Sequence, residues 1–112
     1  MMRPTEPPIP MIHVIAIITS KPGQRETVLK AFRANVPAVH AEQGCIEYEP
    51  SIDSSPALKF QTEMGPDTFV VIEKWESIAA LEAHSTAPHM AAYSALTKDL
   101  IAHRAIHVLT PT

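Results

Sequence analysis

Between Met11 and Thr19 the chain reads MIHVIAIIT, a nearly unbroken run of β-branched residues, and this strand narrows the choice of fold more than any other stretch. Side chains alternate across a strand, so Val14, Ala16 and Ile18 share one face while Ile15 and Ile17 share the other. Both faces are apolar. A sheet built around such a strand needs cover on two sides, and the rest of the chain decides what can supply it.

A turn at Ser20-Lys21-Pro22-Gly23 follows the strand, and beyond it Val28, Leu29, Phe32, Val36 and Val39 recur at helical spacing with Arg25, Glu26, Lys30 and Arg33 between them. Pro37 lacks a backbone donor, which predicts a kink or an early stop in that helix. After Gly44, Cys45 to Glu49 alternate as a second strand, stopped by Pro50. Residues 51–67 carry turn signals at Ser54-Ser55-Pro56 and Gly65-Pro66-Asp67, and read as a loop containing a short strand or strand extension. Phe69-Val70-Val71-Ile72 opens a third strand that continues to Trp75. Ser77 caps a short helix, and Thr86-Ala87-Pro88 restarts another with Met90, Tyr93, Leu96 and Leu100 along one face. Arg104 to Leu109 forms the last strand.

The order β-α-β-β-α-β, with its second helical element split, is the ferredoxin-like α+β arrangement. Helices from 112 residues cover one side of a four-stranded sheet. The other side is left for a second copy of the chain, which predicts a homodimer. Residues 1–10 hold four prolines and are expected to be a flexible leader, with residues 11–112 as the single domain.

A net charge of −3 and the lack of any Lys/Arg run argue against nucleic acid or an anionic membrane as partner. The lone Cys45 forms no intrachain disulfide and reads as a small buried hydrophobe. With no apolar stretch long enough to span a bilayer, the expected location is the cytoplasm.

Chemistry concentrates between residues 68 and 93, which hold Glu73, Trp75, His84, His89 and Tyr93. Glu73 and Trp75 share a strand face with Val71 and Phe69. A carboxylate there needs an ion-pair partner or serves as a base. His84 and His89 are five residues apart across a helix break, a spacing unsuited to a metal on one helix face, yet an imidazole is a side chain that can take a phenolic proton. Tyr48, Tyr93, Met64 and Met90 suit the wall of a pocket for a planar ligand, or serve in packing. His13, His40, His103 and His107 fall near element ends and read as structural or surface residues.

With these elements placed, the sequence resembles the antibiotic biosynthesis monooxygenase domain family, most closely its bacterial quinol monooxygenase branch. The resemblance rests on Val14-Ile15-Ala16, Pro22-Gly23-Gln24, Glu42-Gln43-Gly44-Cys45 with Tyr48, Phe60-Gln61, Pro66-Asp67, Val71 through Ser77, Leu81-Glu82-Ala83-His84, Pro88-His89-Met90 and Ala92-Tyr93-Ser94. It implies a dimeric α+β barrel and a cofactor-independent monooxygenase of a quinol or other electron-rich aromatic, with dioxygen as co-substrate and no metal or organic cofactor. It also implies catalytic roles for His84, Trp75, Glu73 and His89, with substrate contacts from Tyr48, Met64, Phe69, Val71, Met90 and Tyr93. Haem-degrading and isomerase relatives, or a dimeric ligand-binding protein without turnover, are the competing readings.

Overall fold

The computed structural model describes residues 11–112, and the proline-rich leader lies outside the described residues. Strand β1 (Ile12–Ser20) occupies an inner position of a four-stranded sheet, with α1 (Arg25–His40), β2 (Cys45–Ser51), β3 (Thr68–Trp75), α2 (Ile78–Ser85), α3 (Pro88–Thr97), a 3-10 turn (Lys98–Leu100) and β4 (Ile101–Leu109) following in order. The spatial order is β2-β3-β1-β4 with every pair antiparallel. This is the ferredoxin-like α+β topology expected from the element order.

Alternation in β1 is complete. Ile12, Val14, Ala16 and Ile18 are buried, whereas Ile15 and Ile17 are only partly covered. Register carries the same split across the sheet, since Val14 lies opposite Glu73 and Val108, and Ile18 opposite Phe69 and Arg104. The buried face meets the helices through Val28, Leu29, Phe32 and Val39 of α1. Phe32 is the hub of this packing. Its ring stacks on Tyr48 at 5.1 Å and meets Phe69 and Tyr93 edge-on at 5.7 and 5.9 Å, geometries worth about 0.5–1.5 kcal/mol each beyond the area they bury.

Several local expectations need correction. Pro37 does not stop α1, because its carbonyl still accepts the Ala41 N–H and the fully buried Val39 anchors the last turn. Pro50 does not stop β2 either, since β2 is an edge strand and a missing donor can be tolerated there. Residues 52–67 hold no strand. That loop is instead pinned by side chains: the Asp53 carboxylate accepts the N–H groups of Met64 and Gly65, both at 2.9 Å, and Arg25 donates to the carbonyls of Gly65 and Thr68. On α3 the inward stripe includes Met90, Tyr93 and the buried Thr97, while Leu96 is 68% exposed.

Other local signals act as expected. The Ser77 hydroxyl accepts the Ala80 N–H at 3.1 Å, and Pro88 sits in the first turn of α3. Gly44 has φ +87 and its backbone carbonyl accepts the Glu76 N–H. A Cβ added at Gly44 would lie 2.6 Å from the Cβ of Ala80, so β2 and α2 approach each other only because that side chain is absent. Gly23, at φ +76, faces open space. Gly23→Ala should therefore show only the backbone cost of a left-handed residue, about 1–2 kcal/mol. Gly44→Ala should lose roughly 1–3 kcal/mol more through overpacking, read from urea unfolding midpoints.

Candidate active site

A cavity of about 930 Å³ lies between the sheet and the helices. Its sheet-side wall is apolar, formed by Val14, Ala16, Ile18 and Val71, and its helix side includes Phe32, Leu81, Met90 and Tyr93. Two polar groups of interest, Glu73 and His84, border its closed end together with Tyr48.

Helix α2 brings His84 to that end, because the Ser77 cap and the short helix place its last turn over β2 and β3. The imidazole lies against the Trp75 indole at 4.7 Å and meets the Tyr48 ring at 5.3 Å. Its Nδ1 donates to Glu42 Oε2 at 2.8 Å, with both side chains largely buried. A carboxylate acceptor on Nδ1 selects the tautomer whose Nε2 carries the lone pair. Among the described residues Nε2 has no protein partner, and it is not among the side-chain atoms sealed away unsatisfied. His84 thus offers a basic nitrogen at the cavity wall, backed by an acid.

Glu42 is the residue that reading the sequence missed. It follows α1 in the connection to β2, and its separation of 42 positions from His84 leaves no local signal. Its Oε2 also lies 3.3 Å from His89 Nε2 but out of line for a hydrogen bond, so that buried nitrogen stays unsatisfied. The Asn35 amide, equally unflagged by the sequence, donates to His89 Nδ1 at 3.1 Å and to the Met90 sulfur at 3.4 Å. His89 therefore stands behind the site, between α1 and α3, and not on the main cavity wall.

Trp75 is fully buried and absent from the wall. Its indole N–H donates to Glu73 Oε1 at 2.9 Å, so the acid and the indole satisfy each other. Burial pushes the Glu73 carboxyl upward, opposed by the Trp75 hydrogen bond and by His84. Burial also drives the Tyr48 phenol far above its ordinary range, which keeps it a neutral donor. The Tyr93 phenol is raised by burial too, with Thr97 and the Arg104 charge acting against the shift.

Of the expected substrate-contacting residues, Tyr48, Val71, Met90 and Tyr93 line the cavity. Phe69 does not, because it sits under Phe32 as fully buried core. Met64 does not either; it belongs to the pinned loop and is 47% exposed. Among the described residues no three His, Cys, Asp or Glu side chains are grouped to hold a metal ion. No helix among them is long and apolar enough to cross a membrane.

Comparison with known proteins gives a consistent picture. Residues 11–96 match the family model described as antibiotic biosynthesis monooxygenase. The chain is 47% identical over 103 residues to the Escherichia coli K12 protein named "Probable quinol monooxygenase YgiN", covering 90% of this chain and 98% of that one. The crystal structure of PA3566 from Pseudomonas aeruginosa superposes with a TM-score of 0.77 at 29% identity, covering 92% of this chain and 95% of the other. Rv0793 from Mycobacterium tuberculosis superposes at 0.73 with 26% identity, covering 91% and 95%.

The buried acid has a measurable consequence. A carboxyl raised in the folded state binds its proton more tightly there than in the unfolded chain, so its contribution to stability falls as pH rises from the unfolded carboxylate range, about 4.3, through the folded value. Glu73→Gln keeps an acceptor for the Trp75 indole and removes this charge. The variant should be at least as stable as the parent at pH 7, and their Tm values should converge as pH is lowered toward that range. A parent that gains stability relative to Glu73→Gln on going from acid to neutral pH would contradict the burial-driven shift.

Proposed function

We propose that this chain, which belongs to the antibiotic biosynthesis monooxygenase family, oxidises a quinol or related electron-rich hydroxylated aromatic with dioxygen, His84 serving as the base. The observation that carries this reading is an apolar cavity with a single carboxylate-backed imidazole at its closed end. The name printed for the Escherichia coli relative supports the same substrate class.

The chemistry asks little of the protein. An aromatic hydroxyl held against His84 Nε2 gives up its proton, and the imidazolium that forms is stabilised by Glu42 across the 2.8 Å hydrogen bond. The resulting phenolate is electron-rich enough to reduce dioxygen. Substrate thus supplies the electrons, and the protein supplies a base, orientation and exclusion of water. Neutral Tyr48 is placed to donate a hydrogen bond within the cavity, while Val71, Met90 and Tyr93 fix the ring plane. Trp75 acts at one remove. By packing on His84 and holding Glu73, it keeps both groups oriented without touching substrate. His89, which accepts from Asn35 at Nδ1, stands beside Glu42 from behind and helps to hold it in place.

The working unit in this reading is a homodimer. Ile15, Ile17, Val70 and Ile72 form an apolar patch on the sheet face away from the helices, and a second copy is the cover that gives a closed, symmetric assembly.

Two measurements test the proposal. Oxygen uptake with a reduced naphthoquinone in metal-free buffer should exceed autoxidation, and His84→Ala should lower kcat by roughly 10²–10⁴-fold with a smaller change in KM. Equal uptake with and without protein removes the assignment. For the assembly, light scattering should give a mass of two chains, reduced to one by Ile72→Lys on the outer sheet face; a parent that runs as a monomer rules out the paired sheets.

A further inference from the structure

The cavity is polar at both ends, and the two ends differ in sign. Strand register fixes their separation. Glu73 lies opposite Val14, whereas Arg104 lies opposite Ile18 on the same sheet face. Four residues of strand separate those rows, about 13 Å at the usual rise. Between them the sheet presents Ala16, Val71 and Ile106. The closed end therefore holds Glu73 and His84, the middle is hydrocarbon, and the far end is reached by Arg104.

Arg104 does not stand alone there. The 3-10 turn that feeds β4 places Lys98 on the cavity lining, and His103 lines the same sector. Among the described residues neither Lys98 nor Arg104 forms a salt bridge, although four of the five ion pairs elsewhere use residues of α1 or the connection that follows it. The other acid of the lining, Glu82, belongs to α2, the helix that carries His84. Arg104 is exposed, belongs to the cavity lining, and is near enough to the buried Tyr93 phenol for its charge to act on it.

A guanidinium with no ion-pair partner among the described residues, on a lining that also includes Lys98, suits a carboxylate, which arginine holds by two parallel hydrogen bonds. We infer that the cavity takes an amphiphilic aromatic: a hydroxylated ring at His84 with a carboxylate substituent roughly 10 Å away, held by Arg104 and Lys98. This rests on the reading of the cavity as the place where a hydroxylated aromatic is oxidised, and it names which members of that class bind best. A neutral quinol fills the inner part only. Arg104 lies on the helix side of the sheet, so a second copy on the opposite face leaves it free.

The test uses the oxidised ligand, so that binding is separated from turnover. Isothermal titration of the full chain with a naphthoquinone bearing a butanoate arm should give a Kd at least tenfold lower than with its methyl ester, and added salt should narrow the gap. Arg104→Met with Lys98→Met should bring acid and ester to the same Kd, whereas Lys21→Met should preserve the preference. In turnover with the reduced forms, the double variant should raise KM for the acid and leave the ester unchanged. Equal affinity for acid and ester in the parent overturns this inference alone, as does a preference that survives the double variant. Binding of neither compound overturns it together with the reading of the cavity on which it rests.

Discussion

Two inner strands, each with side chains thrown alternately to opposite sides, set the terms for everything else in this molecule. Because β1 and β3 are paired on both edges, neither can twist a polar side chain out to solvent along its own edge, and each residue must suit one face or the other. On the helix side that rule buries Val14, Ala16, Phe69, Val71 and Trp75, and with them the acid Glu73. The acid stays there because the next residue on its face supplies an N–H at 2.9 Å. A register shift of one residue would expose the indole and bury Lys74.

That same alternation produces a cavity in place of a filled core. Helices α2 and α3 are short, and the break between them at Thr86-Ala87 holds them as a loose roof over β1 and β4. Phe32 fills the side nearest α1 with aromatic contacts, and the remaining volume stays open between hydrocarbon walls. An apolar cleft of this size leaves hydrocarbon such as Ile106 and Val108 in contact with water, a cost that better packing would remove. Its retention, with an imidazole and an acid at the closed end, agrees with a binding role.

Polar groups around the void form a line more than a cluster. Asn35 orients His89, His89 leans toward Glu42, and Glu42 holds His84, whose remaining nitrogen borders the cavity. Each link joins a different helix or connection, so the line also fastens α1 to α2 and α3 across the sheet. The same hydrogen bonds thus brace the helices and orient the imidazole that borders the cavity. At the opposite end the charges of Lys98 and Arg104 have no such partners among the described residues.

Periodicity and capping determined the order of strands and helices along the chain. The β-branched run from Met11, the helical spacing from Val28 to Val39, the Ser77 cap and the Pro88 restart are local signals, and each element formed where those signals lie. Glu73, His84 and Tyr48, which line the cavity, stood out in the sequence because they are reactive or aromatic groups within strongly patterned elements. Misplacements came where local signals compete with long-range partners. Pro50 is harmless only because β2 ended up at an edge, Met64 follows a loop tied down by Asp53, and Phe69 is claimed by Phe32 from another element. Glu42, Asn35 and Arg104 were out of reach for the same reason. Nothing near them in the chain marks them, and their roles exist only once register and helix packing bring residues dozens of positions apart within a hydrogen bond or onto one wall. The sequence by itself determined which segments become strands and helices, since that depends on neighbours a few residues away. Tertiary structure alone decided which side chains face the cavity and which merely support it, because that depends on contacts between elements that no local pattern encodes.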